Sequence, residues 1–240
     1  MNTPVETPWM KLQGINFSRS GRTILSDISL QFGRRELTLL TGHNGSGKTT
    51  LLRILAGLLK PDSAALELDG NRLTGGWLRN RGILRANSCY LHQQPYLFDA
   101  TVFDNVAYGL RRRGLNSSAI EHLVGEALEA TALSHLRRRR CGELSGGEKQ
   151  RVAMLRAWVL APRLLLLDEP VANMDKPSRS KCLALINQMQ CDNIAVVLTS
   201  HDPQQGELQI SRHLHLYQGR MVSKGSSKNS PDDNSRDEIE

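Results

Sequence analysis

Long hydrophobic runs are missing from this 240-residue chain. Nowhere does it approach the roughly 18 uninterrupted apolar residues that a membrane-spanning helix needs, and the N-terminal MNTPVETPWM has no basic segment leading into an apolar one. The chain is therefore expected to stay in the cytosol and cannot itself form a path through a bilayer. Cysteine is sparse as well. Cys89, Cys141, Cys182 and Cys191 form no CxxC pair, and a chain of this size needs no disulfide staples, so reduced thiols are expected. Aromatic residues make up only 5% of the chain, and none interleaves with the arginine runs Arg111 to Arg113 and Arg137 to Arg140. The bases of a nucleic acid would find no stacking platform there. Those runs are expected as solvated helix faces or ends, with phospholipid head groups as the functional alternative. No internal repeat is present.

What is there is a core and positive charge. With 39% hydrophobic side chains, the chain can build one large domain or two closely joined lobes. The net charge is +7, and residues 223–240 carry three basic and five acidic side chains, which leaves +9 on the remainder. That surplus suits a polyanionic ligand or an anionic membrane surface.

From Leu12 to Phe32 apolar and polar residues alternate around the turn Ser18-Arg19-Ser20-Gly21, with Leu12, Ile15, Phe17, Ile24, Ile28, Leu30 and Phe32 as the inward set. Antiparallel strands follow from that pattern. Leu37 to Thr41 is a short apolar run ending at a glycine-rich loop, and Thr49 to Leu59 has helical spacing before Pro61. Between Gln93 and Cys141 the spacing is helical, with candidates over Thr101 to Leu110 and Ser117 to Thr131, and predicts a separate α-helical lobe. Leu164 to Asp168 and Ile194 to Ser200 are apolar runs flanked by helices, the alternation of a parallel sheet buried on both faces. His213 to Tyr217 and Met221 to Val222 flank Gln218-Gly219-Arg220 as a closing hairpin. The polar tail after Val222 is expected to be disordered.

Three motifs carry the chemistry. In GHNGSGKTT the residues expected to contact a phosphate-bearing nucleotide are Gly42, His43, Asn44, Gly45, Ser46, Gly47, Lys48, Thr49 and Thr50. The loop follows a predicted strand and opens a helix, so the N–H groups of Gly45 to Thr49 can converge on phosphate oxygens at the positive end of the helix dipole. Glycines at 42, 45 and 47 let the backbone bend close to the ligand. Lys48 is expected to neutralise the β- and γ-phosphates of ATP, and the Thr49 hydroxyl to coordinate Mg²⁺. LLLLDEP delivers two adjacent carboxylates at the end of an apolar strand, where ligands of parallel sheets collect. Asp168 is expected to hold the magnesium shell and Glu169 to act as general base on the attacking water. In LSGGEKQ, Ser145, Gly146 and Gly147 open a helix that runs to Leu160, which makes the helix start an anion site.

GHNGSGKTT, LSGGEKQ and LLLLDEP together resemble the ATP-binding-cassette ATPases over about Met10 to Val222. The resemblance implies a P-loop NTPase, RecA-like parallel-sheet core with an antiparallel β subdomain and an α-helical subdomain. Residues 10–92 and 145–222 would form the core with the antiparallel part, and residues 93–144 the helical part. It implies a dimer in which Ser145, Gly146 and Gly147 of one copy close on the γ-phosphate held by the other. Gln93 then matches the glutamine that senses magnesium and the attacking water, His201 the switch histidine, and Asp175 the aspartate that crosses the dimer interface, although Ala172-Asn173-Met174 before it departs from the commoner Ser-Ala-Leu. Arg19 stands where relatives place an aromatic residue against adenine. A guanidinium lying flat on the base retains part of that attraction, so weaker discrimination between ATP and GTP is expected.

The resemblance further implies an ATPase subunit of a bacterial importer, peripheral on the cytoplasmic side of the inner membrane, with separate permease subunits and a substrate-binding protein as partners. The stretch from Gln93 to Leu110 with DEPVANMD is similar to importers of oxyanions such as tungstate. One competing class is a soluble cassette ATPase acting on nucleic acid or ribosomes. Chromosome-associated members insert a long coiled coil between phosphate loop and signature, and residues 51–143 here hold no sustained heptads. Translation-factor members carry two cassettes, and this chain has one. A P-loop kinase, the other competitor, has no need of LSGGE.

Overall fold

A computed structural model describes residues 7–200 and 206–222. Two strands, β1 (Met10–Arg19) and β2 (Arg22–Phe32), form the predicted antiparallel pair around Ser20 and Gly21, both in the left-handed region. Leu25 rather than Ile24 is fully buried, and Ile24 and Phe17 are only half-buried. The strict alternation fails because the pairing shifts register between Ile15 and Ser18, and Asp27 adopts φ 51°. Such a bulge lets Leu25 and Ile28, three positions apart, both face inward.

Next come β3 (Leu37–Thr41) and α1 (Lys48–Leu55). This helix stops before Leu59 because Gly57, at φ 66°, closes a Schellman turn in which Gly57 N–H donates to Ile54 and Leu58 N–H to Arg53. Two strands and a helix without a periodic sequence signal follow: β4 (Ser63–Leu68), β5 (Asn71–Leu73) and α2 (Trp77–Asn87). After β6 (Ser88–Leu91) come the two predicted helices of the lobe, α3 (Val102–Arg112) and α4 (Ser117–Ala130), then α5 (Gly146–Trp158), β7 (Leu164–Leu167), α6 (Lys176–Cys191), β8 (Ala195–Thr199), β9 (Arg212–Tyr217) and β10 (Arg220–Val222).

Two sheets result, an antiparallel one in the order β2-β1-β4-β5 and a six-stranded one in the order β10-β9-β3-β8-β7-β6. In the second, every neighbouring pair from β9 to β6 is parallel, and only β10 runs against its neighbour. The closing hairpin is thus built into the core sheet through β9. Every residue of β3, β7 and β8 is buried, and successive side chains go to opposite cores. Leu164 and Leu166 face the antiparallel sheet and α1, while Leu165 and Leu167 face α5 and α6. Each of these fully buried leucines contributes about 2 kcal/mol. A third core joins α3 and α4 to Val152 and Leu155 of α5, whose Ala153 and Met154 belong to the second. α5 therefore packs in both. Among the described residues no helix is long and apolar enough to cross a membrane. The expected tail, residues 223–240, lies outside the described residues.

Asn105 is the polar pin of the third core. It is fully buried, accepts from Phe98 N–H at 2.8 Å and donates to the carbonyls of Phe98 at 3.1 Å and Thr101 at 3.0 Å. Asn105→Ala strands these buried backbone groups and is expected to lower stability by about 3 kcal/mol, read by chemical denaturation.

Candidate functional site

The phosphate loop leaves the C-terminal end of β3. Its first glycine, Gly42, lies at φ 152°, and a Cβ there would sit 2.3 Å from the carbonyl oxygen of Leu216. Gly47, at φ 106°, would place a Cβ 2.8 Å from Leu25 and 3.1 Å from the Ile24 carbonyl oxygen. The close approach that demands these two glycines thus comes from β9 and β2 behind the loop, whereas Gly45 faces open space. Lys48 is buried, and its Nζ donates to the carbonyls of Gly42 at 2.7 Å and His43 at 3.1 Å. Burial pushes its pKa down, against the opposing pull of Glu169 and then Asp168. The Ser46 hydroxyl is buried with no hydrogen-bond partner among the described residues. No side chain caps α1 and no acid stands in its first turn. Its unsatisfied N–H groups and this orphaned hydroxyl make the loop a receptor for an anion. His43, Asn44 and Gly45 are exposed, and Thr49 and Thr50 half-buried.

Asp168 and Glu169 follow β7. Asp168 is buried and accepts on one oxygen from the Tyr90 hydroxyl and on the other from Thr199 Oγ1, each at 2.9 Å. Burial, seconded by the Asp168 charge, pushes the Tyr90 pKa up to about 12, which keeps that hydroxyl a donor. Thr199 Oγ1 also accepts from the Glu169 N–H at 2.9 Å. Glu169 itself sits at φ 49°, an uncommon conformation for a side-chain-bearing residue, and its Oε2 accepts from Gln93 Nε2 at 3.1 Å. The structure therefore joins Lys48, Asp168, Glu169 and Gln93 at one edge of the sheet. Tyr90 and Thr199 were not among the residues read from the sequence. Thr199 closes the otherwise apolar β8, a slight signal, whereas Tyr90 stands one position before the end of β6 and carries none; both strands flank β7.

Ser145 opens α5 through a capping box: its hydroxyl accepts from the Glu148 N–H at 3.3 Å, and the Glu148 carboxylate accepts from Ser145 N–H at 2.8 Å. These bonds hold the Glu148 carboxyl below the usual carboxylate range. Ser145 and Gly146 are exposed, and among the described residues no hydrogen bond joins Ser145 to Gly147 with the 42–50 loop of the same chain. Gly147 instead abuts α6, where a Cβ would lie 2.7 Å from Ser178 Oγ and 2.8 Å from Ser178 Cβ. Asp175 caps that same helix by accepting from the Ser178 N–H. Ser178 thus links the signature glycine to the Asp175 turn. Arg19 is exposed at the end of β1. His201 lies outside the described residues. The arginine runs end α3 and follow α4, with Arg111, Arg137, Arg139 and Arg140 ion-paired to Asp104, Glu121, Glu143 and Asp99.

Residues 25–172 match the family described as "ABC transporter". The chain is 33% identical to the spermidine/putrescine import ATP-binding protein PotA of Haemophilus influenzae over 95% of its own length and 60% of that protein's. It is 37% identical to the sulfate/thiosulfate import ATP-binding protein CysA of Yersinia pseudotuberculosis, covering 86% of this chain and 57% of the relative. The molybdate/tungstate import ATP-binding protein WtpC of Thermococcus kodakarensis is 40% identical over 69% of this chain and 48% of its own length. The chain thus spans about three fifths or less of these curated relatives. Among solved structures, CbiO1 of Clostridium perfringens, described as part of the ABC transporter complex CbiONQ, superposes with a TM-score of 0.81 at 30% identity, covering 91% of this chain and 88% of that one.

Gly147→Ala is expected to force α5 from α6 and to lower the thermal midpoint, since overpacking a tight contact costs about 1–3 kcal/mol. Adding Ser178→Gly removes the opposing atoms and should restore most of the loss in a double-mutant cycle. An unchanged midpoint for the single variant would show that the contact yields without cost.

Proposed function

Since the chain belongs to the ABC transporter family, we propose that it is the ATP-binding and ATP-hydrolysing subunit of an import system. The observation that carries this reading is the meeting of Lys48, Asp168 and the Gln93–Glu169 pair at one sheet edge. The uncapped α1 terminus, the orphaned Ser46 hydroxyl and Lys48 suit the triphosphate of ATP. Its γ-phosphate competes with the Gly42 and His43 carbonyls for the Lys48 ammonium. Among the described residues no three His, Cys, Asp or Glu side chains converge as a metal cage. The oxygen donors of Thr49, Asp168 and Gln93 fit Mg²⁺, which takes few protein ligands and leans on phosphate oxygens. When bound, Mg²⁺ neutralises charge on the β- and γ-phosphates.

Glu169 accepts a proton from the water that attacks the γ-phosphorus, while the bond from that phosphorus to the bridging oxygen breaks and ADP leaves with it. Gln93 holds the Glu169 carboxylate and the water in line, with His201 contacting the γ-phosphate. Ser145, Gly146 and Gly147 of a second copy complete the site, and Asp175 crosses that interface, so a homodimer is the active form. Hydrolysis moves residues 93–144 relative to the core, and that motion reaches permease subunits which hold the chain on the cytoplasmic face of the membrane. A substrate-binding protein delivers the cargo. The import ATP-binding proteins named above are named for a polyamine cation in one case and for oxyanions in two, so cargo chemistry is set outside this subunit, with an oxyanion such as tungstate as one reading. All of them are import or transporter proteins, which gives action on nucleic acid or ribosomes no support.

Glu169→Gln is expected to bind ATP and to lose about 100- to 10,000-fold in turnover, as removal of a general base does. Normal phosphate release by that variant refutes the assignment. Arg19→Tyr should tighten ATP relative to GTP by titration calorimetry, because a full aromatic face replaces the guanidinium. Equal affinities before and after would remove Arg19 from the base site.

A further inference from the structure

The end of α4 meets α5 and α6 around a cleft of about 430 Å³, within the range of small-ligand pockets, and none of the groups placed in the hydrolytic machinery above lines it. Its residues come from 130–135 of the helical lobe, from Glu148 and Arg151 of α5, and from α6 between Lys181 and Gln188. Lobe and core therefore both touch whatever occupies it. Ala130, Ala132, Ala184 and Leu185 supply apolar surface. Arg151 and Lys181 bring two positive charges, and His135 an imidazole.

Among the described residues, no carboxylate forms an ion pair with Arg151 or Lys181. Lys181 is exposed on α6. Arg151 is half-buried, its side chain makes no hydrogen bond among the described residues, and its Nε is sealed from solvent with no acceptor. A buried N–H in that position has lost its hydration and gained nothing in exchange. The one acid in the lining, Glu148, is engaged elsewhere, because its Oε2 accepts from the Ser145 N–H and from the Ser145 hydroxyl, each at 2.8 Å. Those bonds come before the charge of Arg151 in lowering the Glu148 pKa. The cleft thus holds a guanidinium and an ammonium with no counter-charge paired to either.

We propose that this cleft binds a small phosphate monoester, its phosphate on Arg151 and Lys181 and its organic part against Ala130, Ala132, Ala184 and Leu185. Phosphate oxygens match the planar fork of a guanidinium and bring the charge that the ammonium lacks. A bare ion, a few times the roughly 30 Å³ share of a water molecule, would leave most of the volume unfilled. Arg151 follows Gly147 by four positions and Lys181 follows Ser178 by three, so the bridge lies one turn along α5 and α6 from the contact between Gly147 and Ser178. The consequence for turnover rests on the import-subunit reading, in which residues 93–144 move against the core. A ligand held by lobe, α5 and α6 together favours the arrangement that encloses it and slows ATP turnover.

Titration calorimetry of the full chain with monobutyl phosphate and with inorganic phosphate tests this, in a Lys48→Ala background so that the phosphate loop does not contribute. Wild-type chain saturated with ADP replaces that background if it does not fold. The ester is expected to bind, and Arg151→Gln or Lys181→Gln to weaken it about tenfold, the loss of one charge-assisted bond. Lys181→Gln, at an exposed position, carries the test if Arg151→Gln does not fold. No binding, binding that both substitutions leave unchanged, or binding lost with Lys48→Ala alone overturns the proposal. Equal affinity for inorganic phosphate overturns the ester in favour of the free ion. Saturating ester should slow wild-type ATP turnover about fivefold, while Lys181→Gln keeps its basal rate and does not respond. Binding without slowing overturns the regulatory consequence. A wild-type chain that turns over no ATP would instead sink the import-subunit reading and leave the ligand of the cleft standing, so the two failures are told apart.

Discussion

Burial of β3, β8 and β7 on both faces is the constraint on which the rest depends. A strand with water on neither side can place a polar group along its length only at the cost of its hydration, so apart from Thr38, which accepts from Arg212, the polar residues of these strands collect where they end. At that edge the chain turns from β3 into the phosphate loop, from β7 into Asp168 and Glu169, and from β8 into Ser200. The parallel register sets Leu167 beside Leu198, which brings Thr199 level with Asp168. One hydroxyl then serves both carboxylate residues, accepting from the Glu169 backbone and donating to the Asp168 side chain. Hydrophobic packing that contains no chemistry thereby fixes the geometry of the groups that do.

The same packing explains which glycines are indispensable and why. Gly42 and Gly47 are pressed by β9 and β2, and Gly147 by Ser178 of α6. In each case neighbouring protein, and no ligand, occupies the space of a Cβ. The phosphate loop and the signature helix are thus seated on the fold before anything binds, which limits the ordering that binding must add. α5 carries this further, because its opposite faces belong to two cores. A shift of the helical lobe must act on Ser145 through that helix.

Charge is distributed by a related logic. Arg111, Arg137, Arg139 and Arg140 on the lobe are matched by acids, and such pairs contribute little to stability, about 0–1 kcal/mol each. Arg112, Arg113 and Arg138 have no carboxylate partner among the described residues, and the first two line the groove between core and lobe. A net charge read from composition hides this difference between paired and unpaired cations.

The residues that could be read directly were those with local signals: the loop at 42–50, the apolar run into Asp168 and Glu169, and Ser145 to Gly147 at the start of a helix. Each depends on neighbours within one turn or one strand, so sequence alone determined the existence and type of these elements and the chemistry they offer. The pairing of Tyr90 and Thr199 with Asp168, the contact of Gly147 with Ser178 and the acid-free groove were decided only by tertiary structure. Their partners lie tens of residues apart, and which strands neighbour one another is settled by burying both faces of the sheet at once. No single segment of the chain carries that information.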